Sequence, residues 1–460
     1  MIFLILVVGL FLRLVNISQS LWLDEAIQAW AASSFTLRDL IFKFMPTDVH
    51  PPLSYIVSFF TSKLIGFSEI SLRLPSVVFG VFTIYFTYKI AQKIKLKNPT
   101  LPAVLLATSG LHVYYSQEAR MYSLATLLVC LSLYFLIKSL KKAKNFTFYT
   151  IYTLLAVYSH YYTWFMLPVH LIIVKLTNPS KLKKLIVSQF VVFIGFIPIL
   201  PLLFKQLKGG LQAALSNPNW ANTVGGLNLK SLSLIPTKFL IGRISFDNRL
   251  IYGLVVAIPL LISTYLLSRL LKNKSKNQTA SIVILSWLFT PLILAILVSL
   301  KVPVLGFHRF LFILPSFYLS LSLGISYLGK PLQKLIILIL LGLNITTTGI
   351  YLFNQSFHRE DWKALTQELS LSNQSQAPVA ILAPVRTPLE YYYAGEIINY
   401  QDINPKFTDS QVWLVPYAEP IFDPELQTKT ILTKQGFKPI FEKHFRGNLT
   451  LIQYTNENWN

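Results

Sequence analysis

The sequence predicts a polytopic α-helical membrane protein carrying a small α/β unit at its C-terminal end, and three observations predict it. The 460-residue chain is 53% hydrophobic and 13% charged, where soluble domains carry about 25% charge. Apolar runs of roughly 20 residues recur, the length of a helix that satisfies its own backbone groups across a bilayer. The acids are also segregated. Asp24, Glu25, Asp39, Asp48, Glu69, Glu118 and Asp247 are all that the first 353 residues contain, which leaves twelve of the nineteen for the last 107.

Taken in order, about eleven spans are expected near residues 1–17, 70–90, 100–116, 119–138, 147–159, 162–177, 185–204, 249–269, 280–300, 309–328 and 334–353. Every second connection is rich in lysine and free of acid: Lys89 to Lys97, Lys138 to Lys144, Lys181 to Lys184, Arg269 to Lys276, and Lys330 with Lys334. Basic connections stay on the cytoplasmic side. This places the N-terminus inside, residues 16–69 in the first outer loop and the C-terminus outside. The run 1–17 has neither a basic leader nor a small-residue cleavage site, so it reads as a retained first span. Residues 51–66 are apolar but short, and counting them as a span would break the alternation. They are expected to form an interfacial helix opened by Pro51-Pro52. The stretch 205–248, with KGG, NPNW and a second Gly pair, reads as a long outer loop.

Two domains follow: a membrane domain over 1–353, its outer catalytic loop at 16–69, and an extracytoplasmic α/β domain over 354–460. The latter shows an amphipathic helix (REDWKALTQELS), strands at PVAILAPV and QVWLVPY, a helix at PELQTKTILTKQG and paired strands near 437–445 and 448–454. No phosphate-binding glycine loop, zinc spacing or internal repeat is present. The net charge of +22 lies largely in the lysine connections, so it reads as a topology determinant and not as a nucleic-acid surface. Cys130 is the single cysteine, which excludes an internal disulfide.

The chemistry gathers on the outer side. Asp24 follows Trp22 at the end of the first span and could accept a proton from an attacking hydroxyl or amine; it could equally cap the following helix, with Glu25 in the first turn. His50 precedes Pro51-Pro52. Glu118 and Arg120 stand in HVYYSQEARMY beside Tyr122, ionisable groups at a membrane surface where they are costly and tend to be functional; they could also neutralise one another. His160 opens one outer helix junction, and His308-Arg309 opens another, where Arg309 offers a fixed cationic fork suited to phosphate. A carboxylate base, a cationic cluster and a lipid-facing groove suit transfer from a lipid-linked phosphosugar.

The ordered series LRL, LWLDEA, HPPL, SLRLPS, YYSQEARMYSL, SHYY and HRFLFILP resembles the polyprenyl-phosphate-sugar-dependent glycosyltransferases of the GT-C fold, among them the protein O-mannosyltransferases and the bacterial aminoarabinose transferase. The resemblance covers residues 1–330 and touches the C-terminal unit only at REDW. It implies an inverting transfer at the outer face of the inner membrane, with Asp24 as general base and Glu25 beside it. His50, Arg73, Glu118, Arg120, Tyr122, His160, His308 and Arg309 would bind the donor phosphate and substrate. A divalent cation could sit on Asp24, Glu118 and His50, and metal dependence stays open. The partners implied are a polyprenyl-phosphate-linked sugar, a glycan, lipid or protein acceptor, and membrane lipid, with no nucleic acid. A flippase or transporter of lipid-linked saccharides is the alternative. It is disfavoured because no acid lies mid-span and no repeated halves are seen.

Overall fold

The computed structural model describes residues 1–216, 225–303, 305–404, 407 and 409–456. Seven helical stretches among them are long and apolar enough to cross a bilayer: Glu69–Lys93, Met121–Ser139, Pro179–Gln212, Arg249–Lys272, Lys274–Ser299, Phe307–Ile325 and Lys330–Phe353. The other four expected spans are helical but short or interrupted. Ile2–Leu14 has 13 residues, about 20 Å at 1.5 Å per residue. Thr100–Ala107 and Gly110–Ser116 are separated at Thr108-Ser109. Asn145–Ser159 has 15 residues, and Met166–Thr177 is preceded by a 3-10 turn, Tyr161–Phe165.

The segment after the first helix folds into helix Leu23–Ser34, a strap through residues 37–50, and helix Leu53–Ile65, the element expected over 51–66. The Ser68 side chain then caps Glu69–Lys93 in a reciprocal capping box with Ser71. The loop expected over 205–248 is a correction. Helix Leu200–Ser216 runs through Gly209-Gly210, and Leu229–Ile241 forms a second helix whose Asn228 side chain accepts from the Ser231 N–H. Glycine costs a helix roughly 1 kcal/mol each, too little to end one that continues an apolar span. Residues 217–224, including the whole of NPNW, lie outside the described residues.

The C-terminal unit is a five-stranded mixed sheet. Its strands are β1 (Val379–Ile381), β2 (Ile397–Asn399), β3 (Gln411–Val415), β4 (Lys438–Phe445) and β5 (Leu449–Thr455), ordered β2-β1-β3-β5-β4. The first three run parallel, and β5 pairs antiparallel with both β3 and β4. Helix Trp362–Ser372, capped by Asp361, covers the sheet through Trp362, Leu365 and Leu369. The short β2 strand was not legible: Ile397–Asn399 has three half-buried residues and no alternation to read. The unit has its own apolar core, separate from the membrane core. Leu23, immediately before Asp24, packs against that second core. The start of helix Leu23–Ser34 is thereby gripped between the two bodies.

Candidate active site

Asp24 and Glu25 occupy the first turn of Leu23–Ser34, whose N-cap position is Trp22; neither acid caps the helix. Successive helical residues point about 100° apart, and the pair is split accordingly. Glu25 turns inward and is fully buried. Arg73 grips it with both prongs, Nε to Oε1 at 2.8 Å and Nη2 to Oε2 at 2.6 Å. The Ala119 N–H donates to Oε1 at 2.7 Å, and Arg359 Nε lies 3.1 Å from Oε2. Burial alone would raise this carboxyl, but Arg73 and Arg359 outweigh it and hold Glu25 below the usual range.

Asp24 turns outward. Its side chain is 34% exposed, against 0% for Glu25, 1% for Glu118 and 10% for Asp48. Arg120 Nη2 lies 3.5 Å from Asp24 Oδ2, and Arg120 Nη1 donates to the Asp24 carbonyl at 3.3 Å. Arg120 also meets the Tyr55 hydroxyl at 3.3 Å and the His50 ring at 3.3 Å. Asp48 holds that group together. Its Oδ1 accepts from the His50 backbone N–H and contacts His50 Nδ1, both at 2.7 Å, while Tyr55 donates to Oδ2. Burial would raise the Asp48 carboxyl, yet His50 and Arg120 carry it well below the usual range. Gln206, from the helix that replaced the expected loop, donates to the carbonyls of Met45 and His50 at 2.8 and 2.9 Å and fixes the strap.

Glu118 and Arg120 do not neutralise one another. Glu118 Oε2 accepts from Arg359 Nη2 at 3.1 Å, and its Oε1 is buried with no hydrogen-bond partner. Burial pushes this carboxyl up to about 7 against the pull of Arg359, with Glu25 adding to the rise.

Tyr122 links this acidic half to a cationic one. It lies within electrostatic reach of Arg120, Glu118, Asp24 and Arg309. Its ring centroid is 5.5 Å from that of His308 and 6.0 Å from that of His160. Arg309 donates to the Tyr162 hydroxyl at 3.0 Å and to the Pro303 carbonyl at 3.1 Å. Burial, with His50, Arg309 and Arg120 close by, keeps His160 well below its ordinary range, so it is a neutral ring. Arg243, exposed, completes the cluster with its guanidinium over the rings of Tyr114 and Phe307 at 4.9 and 5.7 Å.

Asp24, His50, Glu118, Arg120, Tyr122, His160, His308 and Arg309 thus come together, as the sequence led one to expect. Arg73 is the exception among the residues expected to bind substrate. All five of its N–H donors are used, by Glu25 and by the carbonyls of Ile17, Gln19 and Ser20, so none is left for a ligand. Nor do Asp24, Glu118 and His50 form a ligand set for a divalent cation. Each faces a different partner (Arg120, Arg359 and Asp48), and no group of three His, Cys, Asp or Glu side chains among the described residues has metal-holding geometry. Sequence reasoning missed Arg359, Arg243, Asp48, Tyr55 and Gln206. Two of them had a signal: Asp48 stands two residues before His50, and Arg359 opens REDW.

A helical membrane bundle bearing an acid–arginine–histidine pocket beneath a small sheet unit has the architecture of the GT-C glycosyltransferases, and comparison with known proteins agrees. Residues 49–204 match the family of dolichyl-phosphate-mannose-protein mannosyltransferases. The chain shares its fold with ArnT from Cupriavidus metallidurans bound to undecaprenyl phosphate, at 9% identity and a TM-score of 0.58, covering 98% of this chain and 97% of that one. It also shares it with the Archaeoglobus fulgidus oligosaccharyltransferase in complex with zinc and sulfate, at 13% identity and a TM-score of 0.54, covering 100% and 73%. The archaeal oligosaccharyltransferase AglB from the same organism, in complex with an inhibitory peptide and a dolichol-phosphate, matches at 12% identity with a TM-score of 0.54, covering 100% and 74%. No curated protein sequence matches. The resemblance carried by the motifs is therefore upheld at the level of fold: this is a multi-pass membrane protein with the GT-C fold, and residues 49–204 match a mannosyltransferase family.

Proposed function

We propose that this chain moves a sugar from a polyprenyl-phosphate donor to a hydroxyl or amine acceptor at the outer face of the cytoplasmic membrane, with inversion and with Asp24 as general base. The observation that carries this is the contrast within the pocket: four carboxylates converge, and Asp24 is the one that keeps access to solvent while resting against a cation. An acceptor O–H gives its proton to the Asp24 carboxylate as its oxygen bonds to the sugar's anomeric carbon. The bond from that carbon to the phosphate oxygen breaks, and its electron pair leaves with the polyprenyl phosphate. Arg120 orients Asp24, and Glu25 acts as a positioning residue because it is wholly engaged.

The departing phosphate needs fixed cations. Arg309 is bound to neutral oxygens and Arg243 lies over aromatic rings, with no carboxylate in ion-pair contact with either among the described residues. Both are therefore available to an anion, with the neutral rings of His160 and His308 as hydrogen-bonding partners. The lysine connections orient the bundle with its N-terminus in the cytoplasm. Residues 1–353 form the transferase domain and 354–460 an extracytoplasmic domain.

Two measurements test the reading. In nanodiscs, undecaprenyl phosphate should bind the full chain, and Arg309→Ala should weaken binding about 10-fold or more, the worth of a hydrogen bond to a charged group. An unchanged affinity would remove the clamp. Mass spectrometry of surface glycans and lipids from cells with and without the protein should show a mass increment of one sugar that depends on it. Identical profiles would refute the transferase reading.

A further inference from the structure

One guanidinium joins the two acids that face away from solvent, and it comes from the far end of the chain. Arg359 lies just past the last span. It donates to Glu118 through Nη2, touches Glu25 through Nε, each at 3.1 Å, and lies 4.6 Å from the centre of the Tyr114 ring. It is 4% exposed.

Its backbone is clamped by the C-terminal unit. Arg446, in the turn between β4 and β5, donates from Nε to the Arg359 carbonyl at 2.9 Å and pairs through Nη2 with Asp361 at 3.0 Å. The Asp361 N–H donates to the Arg446 carbonyl at 3.1 Å. The next residue, Gly447, sits at φ +82°, where a Cβ would come within 2.6 Å of the Glu360 Cα. Glycine is required there both for its left-handed backbone and for this approach. On its other side, the Arg359 N–H donates to Gln19 Oε1 at 3.1 Å, which ties the segment to the first outer loop.

Glu118 and Glu25 belong to different parts of the pocket, joined otherwise by the Ala119 N–H on Glu25. The other charges near Glu118 are the cations Arg120 and Arg243 and the anion Asp24. Tyr115 and Tyr122 face it as phenols. Arg120 is already taken by Asp24, Tyr55 and His50, and Arg243 makes no ion pair among the described residues. No other cation among the described residues is in ion-pair contact with Glu118.

Building on the transferase reading, we propose that Arg359 is a positioning residue of the active site. Set in place by the β4–β5 turn, it holds the 117–120 turn against Glu25 and thereby the Arg120–Asp24 pair, so the C-terminal unit is a working part of the catalytic pocket.

The test uses the full chain with Arg359→Gln, Arg359→Lys and Arg446→Gln. Hydrogen exchange should accelerate at 117–120 in Arg359→Gln while the sheet core stays protected. Product measured as the glycan mass increment should fall about 100-fold, with undecaprenyl phosphate affinity within about 3-fold of the parent. Arg359→Lys, which keeps the charge but loses the fork, should recover part of the product, and Arg446→Gln should show a milder form of the same pattern. Unchanged exchange at 117–120 in Arg359→Gln would overturn the proposal whatever the activity, as would undiminished product or a lysine variant no better than the glutamine one. Should Arg359→Gln fail to fold, Arg446→Gln decides on the same readouts. If exchange rises but no glycan product depends on the parent protein, the transferase reading falls and the holding role stands.

Discussion

Asp24→Asn is expected to lower sugar transfer by about 10²–10⁴-fold, the range supplied by a positioned general base, and to leave the protein inserted and folded. The asparagine keeps shape and can still accept from Arg120, but it cannot take the acceptor's proton. Because Asp24 is partly exposed and meets Arg120 at 3.5 Å, little folding stability rests on its charge. Undecaprenyl phosphate affinity should be nearly unchanged, since Arg309 and Arg243 stand in the other half of the pocket. The check is the glycan mass increment measured beside donor-lipid binding on the same preparation. Full product from the asparagine variant would end the base assignment.

One residue along, Glu25→Gln should do the reverse. It leaves Arg73 and Arg359 buried with no full negative charge between them, and breaking a buried ion pair costs about 3–5 kcal/mol. Unfolding in detergent or nanodiscs should show a much lower midpoint, and activity should be lost through the fold and not through the chemistry. A variant as stable as its parent would mean the buried arginines find other partners. Adjacent acids with opposite phenotypes are the signature of a helix turn that points one inward and one outward.

The helical bundle was legible because lipid imposes long apolar runs, and the candidate site was legible because ionisable groups in the first 353 residues are scarce. With seven acids in 353 residues, each stands out. What was not legible depended on long-range pairing. Nothing local distinguishes Arg73, whose donors are all used, from Arg309, which is bound to neutral oxygens. Arg359 sits in a soluble-looking stretch, and its partners Glu118 and Glu25 lie 241 and more residues away. The Gly209-Gly210 pair misled in the other direction, since turn chemistry is weaker than the apolar continuity of the span around it.

The ties between residues 19–20 and 359–363 bear on biogenesis. Gln19 meets Arg359 across 340 residues, and Ser20 meets Lys363 across 343. Contacts so distant in sequence form only after the last span and the residues just past it have left the ribosome. A nascent protein with every span inserted would still lack these contacts, and its pocket would be unfinished.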